Sequence, residues 1–381
     1  MKIAFIADFF LLDKTTGVNG TQVQMYNLAS AFEDRGFEVH YISLTQDSKP
    51  ADEVIDGIRI HWIPRSKNLF SWIKDIRTYK KILNRIQPDV LYQRGRSHLT
   101  YTAAEWAKKN KAKFIWGSNG EDSCDFWKLI KRVQRSKRPL WKKLLLYPYV
   151  CVQDVLIHKG IRGASQVVNQ TEHQKARLQK NYAKEGIVLP SYFLPPSEDQ
   201  KRVKENIVLW LANVNPGKQP ELFIRLAEYC QDCPGWKFIL GGGTHNRKYW
   251  QDISSLASRL PNLKLIGSVP FNETHEYFAR ASLFVNTSLK EADGLPNAFI
   301  QAWLNQTPIL SLNHDPNDWM KTNHLGFCAH GNLEDFLNKG KALITEPQQI
   351  ESMSQNCDVF ARKTFASDET INAYVRILND V

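Results

Sequence analysis

The feature that most constrains this sequence is an alternation, run through twice, of short apolar β-branched stretches with longer segments of helical periodicity. KIAFIA (residues 2–7) reads as a buried strand. Residues 13–20 read as a polar loop carrying Gly17 and Gly20, and residues 21–35 as a helix, with Thr21 a candidate cap. Gly36 ends that helix before VHYISL forms the next strand. Further strands are expected at 58–63, 90–92, 114–116 and 187–189, and the pattern restarts at Asn206 with IVLWLANVNPGKQPELFIRLAEYC. Repeated strand and helix in this order predict parallel sheets flanked by helices, an α/β fold. At 381 residues the chain exceeds one ordinary core and divides into two domains. The proline- and charge-rich stretch 190–204 is the expected boundary.

The most informative stretch is LFVNTSLKEADGLPNAFIQAWLNQTPIL, residues 283–310, which reads strand, loop, helix, strand. Pro296 suits a first helical turn, and the amides that follow it face the loop, where an anion is favoured. Loops after strand carboxyl ends bind ligands in parallel α/β domains, so Lys290, Glu291, Asp293 and Asn297 are candidates for such contacts. The competing reading is an ordinary capping turn in which Asp293 and Asn297 satisfy amides.

The run Asp293-Gly-Leu-Pro-Asn-Ala-Phe-Ile-Gln301 resembles the E-G-x-P-N-x-x-x-E segment of glycosyltransferase family 4. Both family glutamates are altered, to Asp293 and Gln301, with Glu291 as an alternative to the first. In that family the first acid lies near the transferred sugar and the second hydrogen-bonds the nucleotide ribose, a task that Gln can perform as donor and acceptor. The resemblance extends along the chain. Asn19-Gly20-Thr-Gln-Val-Gln-Met-Tyr-Asn-Leu28-Ala29 is similar to GG-x-E-x-x-V-x-x-L-A, with Asn19 for the first glycine. Asn119 stands where the family commonly carries a histidine that contacts the donor sugar. Lys218 matches the phosphate-binding lysine of G-R-x-x-x-x-K-G, while Asn213 replaces its arginine partner, for which Arg247 or Lys290 can substitute. KFILGGG (237–243) resembles the V-G-x-G-P loop, and the backbone near Ser268 and Val269 would border the base.

The resemblance implies the GT-B architecture: two Rossmann-like doubly wound domains, residues 1–190 for the acceptor and 191–365 for the nucleotide sugar, facing an interdomain cleft. A final helix, 366–381, would return to the first domain. The implied activity is retaining transfer of a sugar from a nucleotide diphosphate donor to a saccharide acceptor, lipid-linked, in polysaccharide or glycoconjugate assembly. Asp293, Lys218 and Asn119 are the expected catalytic residues. Gly20, Asn213, Lys218, Gly243, Val269, Lys290, Glu291, Gly294, Leu295, Pro296, Asn297 and Gln301 are expected to hold the donor, with neither a metal nor a cofactor. Arg94 and Arg96, after the PDVLYQ strand, are either contacts for an acidic acceptor or surface charges. Glu121 and Asp122 either orient sugar hydroxyls, Glu121 as an acceptor contact, or are simply solvated.

The net charge of +11 admits nucleic acid, an anionic membrane surface or phosphate-bearing substrates. Eight lysines and arginines without one acid lie in KLIKRVQRSKRPLWKK, residues 128–143, interleaved with apolar residues and followed by LLLYPYVCV. The composition suits an amphipathic helix on anionic headgroups over residues 127–146, or a solvated basic face. FSWIKDIRTYKKI, residues 70–82, carries the same mixture more weakly. No nucleic-acid motif accompanies the charge, so nucleic acid is not the expected partner. A membrane span of about 20 apolar residues is not found, and the N-terminus resembles a first strand rather than a signal peptide. The expected location is cytoplasmic, peripheral on the inner face of the cell membrane. Cys230 and Cys233 form a lone C-x-x-C pair, read as isolated thiols. The rival readings are a degenerate non-catalytic GT-B protein, a nucleotide-sugar epimerase of the same architecture, or a nucleic-acid-binding protein.

Overall fold

A computed structural model describes residues 1–13, 19–46, 49–65, 71–196, 203–244, 246–289 and 295–380, with Ser71 and Glu121 described by backbone alone. The chain separates into two compact units, Met1–Leu194 with Asp368–Val381, and Pro195–Ser367.

The first unit is built on an eight-stranded sheet. Its strands are β1 (Lys2–Ile6), β2 (Glu38–Thr45), β3 (Asp52–Ile55), β4 (Ile58–Pro64), β5 (Val90–Arg94), β6 (Lys113–Gly117), β7 (Gln166–Asn169) and β8 (Ile187–Val188). The order β3-β4-β2-β1-β5-β6-β7-β8 puts the reversal of strand order between β1 and β5. All neighbours are parallel except β3 and β4. That hairpin is a departure from the all-parallel expectation. It turns on Asp56 (φ 49°) and Gly57 (φ 75°), the two left-handed positions of a tight two-residue connection.

Both sheet faces are covered, which is why β1 reads as an unbroken apolar run. On one face Tyr79, Leu83, Trp106, Ile157 and Ile161 pack over Ala4, Ile6 and Leu91. On the other, Met25, Leu28 and Phe32 join Ile371, Tyr374 and Leu378 of the last helix, Asp368–Asn379. Lys113 Nζ donates to the carbonyls of Ile377 (2.6 Å) and Leu378 (3.1 Å), placing a cation where that helix exposes its final acceptors.

Two local expectations are corrected here. Asn19, not Thr21, caps the first helix, Gly20–Glu33, through a reciprocal pair in which Asn19 Oδ1 accepts from Gln22 N (3.2 Å) and Gln22 Oε1 from Asn19 N (2.7 Å). The basic stretch is two helices, Lys128–Arg135 and Leu140–Arg162, because Ser136 leaves helical geometry and Pro139 supplies the extended residue before the second.

The second unit has a six-stranded sheet of parallel neighbours, β9 (Glu205–Leu211), β10 (Lys237–Gly241), β11 (Leu263–Gly267), β12 (Ala281–Asn286), β13 (Ile309–Ser311) and β14 (Gly326–Cys328). Their order, β11-β10-β9-β12-β13-β14, sets the switch point between β9 and β12. Trp210, Phe223, Phe238, Leu283 and Phe336 anchor its core. Cys230 and Cys233 are buried free thiols. No helix among the described residues is long and apolar enough to cross a membrane.

Candidate active site

At the switch point of the second unit, the loops after β9 and β12 are stitched together. Leu289 N donates to Gly217 O (2.9 Å), Thr287 Oγ1 to Lys218 O (2.7 Å), and Trp210 Nε1, from within β9, to Thr287 Oγ1 (2.9 Å). These bonds bring the backbone of Lys218 against the strand end that leads into residues 290–294. Lys218 itself is half-buried and lies two residues ahead of its helix, Pro220–Tyr229, rather than at the helix start. The turn before it is closed by Asn215, whose Oδ1 accepts from Gly217 N (2.9 Å) and whose backbone carbonyl accepts from Lys218 N (2.9 Å). Asn213 is exposed on the same loop.

Lys290, Glu291, Asp293 and Gly294 lie outside the described residues. Beyond them, Leu295 is buried and Pro296 is extended (φ −66°, ψ 129°), so the helix Asn297–Leu304 begins one residue later than the sequence suggests. Gln301 sits on that helix with Nε2 donating to Thr274 Oγ1 (3.2 Å), which ties it to the helix Thr274–Arg280. Val269 is half-buried after β11.

The triple glycine after β10 serves the protein's own backbone at its middle residue. Gly242 has φ +151°, and a Cβ there would stand 1.8 Å from Ala212 O. Its amide donates to Gly267 O (2.6 Å), so the loops after β9, β10 and β11 are drawn into one rim. Gly243 borders Ser268 at that rim.

Two residues of this rim were missed by sequence reasoning. His314 Nε2 lies 3.0 Å from Leu289 O, and Asn313 Nδ2 donates to Ser288 O (2.8 Å). The loop after β13 thus grips the two carbonyls ahead of residues 290–294. The only sequence signal was polarity directly after the apolar TPIL run.

In the first unit, Asn119 follows β6 and is held on several sides. Its Nδ2 donates to Thr21 Oγ1 (2.5 Å), its amide to Ser123 Oγ (3.1 Å), and its carbonyl accepts from Gln174 Nε2 (3.1 Å). Gly20 is the first residue of the helix that carries Thr21. Glu121 begins the 3-10 turn Glu121–Cys124, and Asp122 is paired with Lys128 (2.6 Å) rather than merely solvated.

Arg94 and Arg96 separate sharply. Arg94 is 4% exposed, so it is not a surface charge, and its NH1 donates to Tyr92 OH (3.1 Å). Arg96 pairs with fully buried Asp154 (3.0 Å), and its NH1 donates to Ser123 O (3.2 Å). Asp154 also accepts from the amides of Leu129 (2.9 Å) and Ile130 (3.1 Å), capping the helix Lys128–Arg135. The two basic helices therefore stand on a buried ion pair. On the second of them Leu140 (71%), Trp141 (60%) and Leu145 (71%) are exposed.

The glycosyl transferase 4-like family profile matches residues 17–145, and the profile described as glycosyl transferases group 1 matches residues 205–346. The chain belongs to the group 1 glycosyltransferases. Both Rossmann-like units of this GT-B enzyme are accounted for by those matches. A Haemophilus influenzae protein described as an uncharacterized glycosyltransferase is 22% identical over 360 residues, covering 91% of this chain and 92% of the relative. Among solved structures, sucrose-phosphate synthase from Thermosynechococcus elongatus is similar with TM-score 0.73 at 14% identity, over 100% of this chain and 98% of that one. Anabaena HepE in complex with UDP-glucose gives 0.66 at 15% over all of both chains. WaaG, a glycosyltransferase involved in lipopolysaccharide biosynthesis, gives 0.67 at 15% over 99% of each.

Proposed function

We propose that this glycosyltransferase moves a sugar, with retention at the anomeric carbon, from a nucleotide diphosphate donor to a lipid-linked saccharide in polysaccharide or glycoconjugate biosynthesis. The observation that carries the reading is the bonded seam between the loops after β9 and β12, which sets the backbone of Lys218 beside the strand end leading to Asp293. A diphosphate leaving group needs positive charge and oriented amides as it departs. Lys218 supplies the charge, and the helix Asn297–Leu304 presents its first amides, which favour an anion. Asp293 stabilises the positive charge that develops on the sugar, Asn119 contacts the sugar hydroxyls and Gln301 holds the ribose. Incoming acceptor oxygen bonds to the anomeric carbon on the face from which the diphosphate oxygen leaves, and the acceptor proton passes to the departing diphosphate. With these groups neutralising the diphosphate, the reaction needs no metal and no cofactor. The UDP-glucose named for HepE supports a nucleotide diphosphate sugar as donor.

The basic hairpin supports peripheral docking on an anionic membrane, where a lipid-linked acceptor resides. Its two helices carry Lys131, Arg132, Arg135, Lys142 and Lys143 together with exposed Leu140, Trp141, Leu144 and Leu145.

Thermal-shift screening against UDP-, GDP- and ADP-sugars identifies the donor, since binding raises the melting temperature. Lys218→Ala should then lower turnover with that donor by about 100-fold or more. An unchanged rate refutes the role of Lys218, and inversion at the anomeric carbon by NMR refutes retention. Sedimentation with anionic vesicles tests docking, and Trp141→Ser with Leu145→Ser should abolish it.

A further inference from the structure

Gln170, just after β7, is almost fully buried and sits where five segments meet. Its amide orientation follows from its partners. Oε1 accepts from Arg94 NH2 (3.2 Å), Gln24 Nε2 (2.9 Å) and Ser191 Oγ (2.6 Å), while Nε2 donates to Asn119 O (2.8 Å). One carbonyl oxygen thus gathers donors from β5, from the first helix and from the segment before Leu194. One amide nitrogen passes the connection on to the loop after β6.

Arg94 gives this hub its character. It is 4% exposed and has no carboxylate partner among the described residues; its guanidinium meets only neutral oxygens. Burial raises the pKa of the neighbouring Tyr374 hydroxyl, and the nearby Arg94 guanidinium pulls it the other way. A buried charge without a counter-ion is costly, and a carboxylate at residue 170 would neutralise it. The chain carries an amide there instead. An amide both accepts from the guanidinium and donates to the Asn119 carbonyl, which an ionised carboxylate, with no proton to give, cannot do. The bond to a cation polarises the amide and strengthens its donation on the far side.

We infer that Gln170, polarised by Arg94, is a positioning residue for the reaction, holding the Asn119 backbone so that its side chain is aimed at the transferred sugar. The geometry of Asn119 fits this. Its amide, its carbonyl and Nδ2 are each engaged, and Oδ1 alone has no partner among the described residues, leaving that acceptor for a ligand hydroxyl. The inference rests on the reading of Asn119 as a sugar contact.

The test is Gln170→Glu beside Asn119→Ala in the full chain, with turnover, nucleotide diphosphate affinity and melting temperature measured for each. The introduced carboxylate would pair with Arg94, so the melting temperature should hold or rise. Turnover should nonetheless fall about 10-fold to 100-fold, because a displaced contact is felt in the rate. Nucleotide diphosphate affinity, a property of the second unit, should stay within about twofold, since no phosphate contact is touched. A merely structural residue would not separate stability from rate in this way. Gln170→Met, which keeps volume and removes both polar groups, should show the same loss of rate at unchanged nucleotide affinity. Gln170→Glu at the natural rate while Asn119→Ala is impaired overturns the positioning role alone. Both variants at the natural rate overturn the reading of Asn119 with it. A destabilised Gln170→Glu protein contradicts the pairing with Arg94 and overturns the charge argument.

Discussion

Asp154→Ala is the substitution from which the structure predicts the largest single loss. The carboxylate is fully buried, pairs at 3.0 Å with an Arg96 side chain that is 5% exposed, and caps a helix through two backbone amides. Removing one partner of a buried ion pair costs about 3–5 kcal/mol, because the remaining charge keeps its desolvation penalty. The lost cap adds about 1 kcal/mol. For a domain of this size such a loss lowers the melting temperature by roughly 10–20 °C. Differential scanning calorimetry is the assay, since two units can melt separately and only the transition of the first should move. The double variant Asp154→Ala, Arg96→Met removes both charges and should recover half or more of the loss, the coupling expected of a pair in contact. A shift below about 2 °C for the single variant, or strictly additive losses in the double, refutes the claim that this pair holds the basic hairpin.

Gly242→Ala forces a Cβ to within 1.8 Å of Ala212 O at φ +151°, and should destabilise the second unit by about 3 kcal/mol or more in a denaturant melt. His314→Ala releases the Leu289 carbonyl ahead of residues 290–294; turnover measured below the melting transition should fall about 10-fold, with a lower melting temperature from truncating a buried ring. Stability should also depend on pH. Burial lowers the pKa of His40, His61, His98 and His158 below the ordinary histidine value, so the unfolded chain binds protons more readily. The stability they contribute is full above the unfolded pKa of about 6.5 and is lost as pH falls through their folded values. Melting temperatures between about pH 7.5 and 5.5 should therefore decline for the first unit, and replacing His40 and His61 by Gln should flatten the slope.

The fold was legible because its signals are local. Unbroken apolar runs and helices at the 3.6-residue period report burial within a few residues, and the two rounds of alternation follow directly. The β3–β4 hairpin escaped because four alternating residues ending in Asp-Gly make a weak signal beside the strong parallel pattern. The break at 136–139 escaped because its one sequence signal, Pro139, lies inside a continuous run of basic residues that reads as a single helix face. Side-chain partnerships were not legible for a different reason. Arg94 and Arg96 are two residues apart on the same chain and look equivalent, yet one meets Gln170 and the other Asp154, contacts set by tertiary packing. His314 likewise acquires its meaning from a carbonyl on another loop.

The loop after β9 raises a question about where diphosphate charge is met. Family members set an arginine beside the lysine, but here Asn213 stands exposed at that position. Two of the loop's own amides, Gly217 N and Lys218 N, are already taken by Asn215. The positive charge near the proposed diphosphate therefore falls on Lys218, with Arg247 as a candidate second base at the start of the helix Arg247–Ala257. Asn213→Arg restores the second cation on an exposed position, where the longer side chain costs little to accommodate. A charge-assisted contact to phosphate contributes about 1.5–3 kcal/mol, so nucleotide diphosphate should bind about 10-fold to 100-fold more tightly. The gain should shrink as salt is raised, because an exposed pair is screened. Calorimetric titration showing no gain at low salt would mean that the diphosphate does not lie over this loop, and the assignment of Lys218 would fall with it.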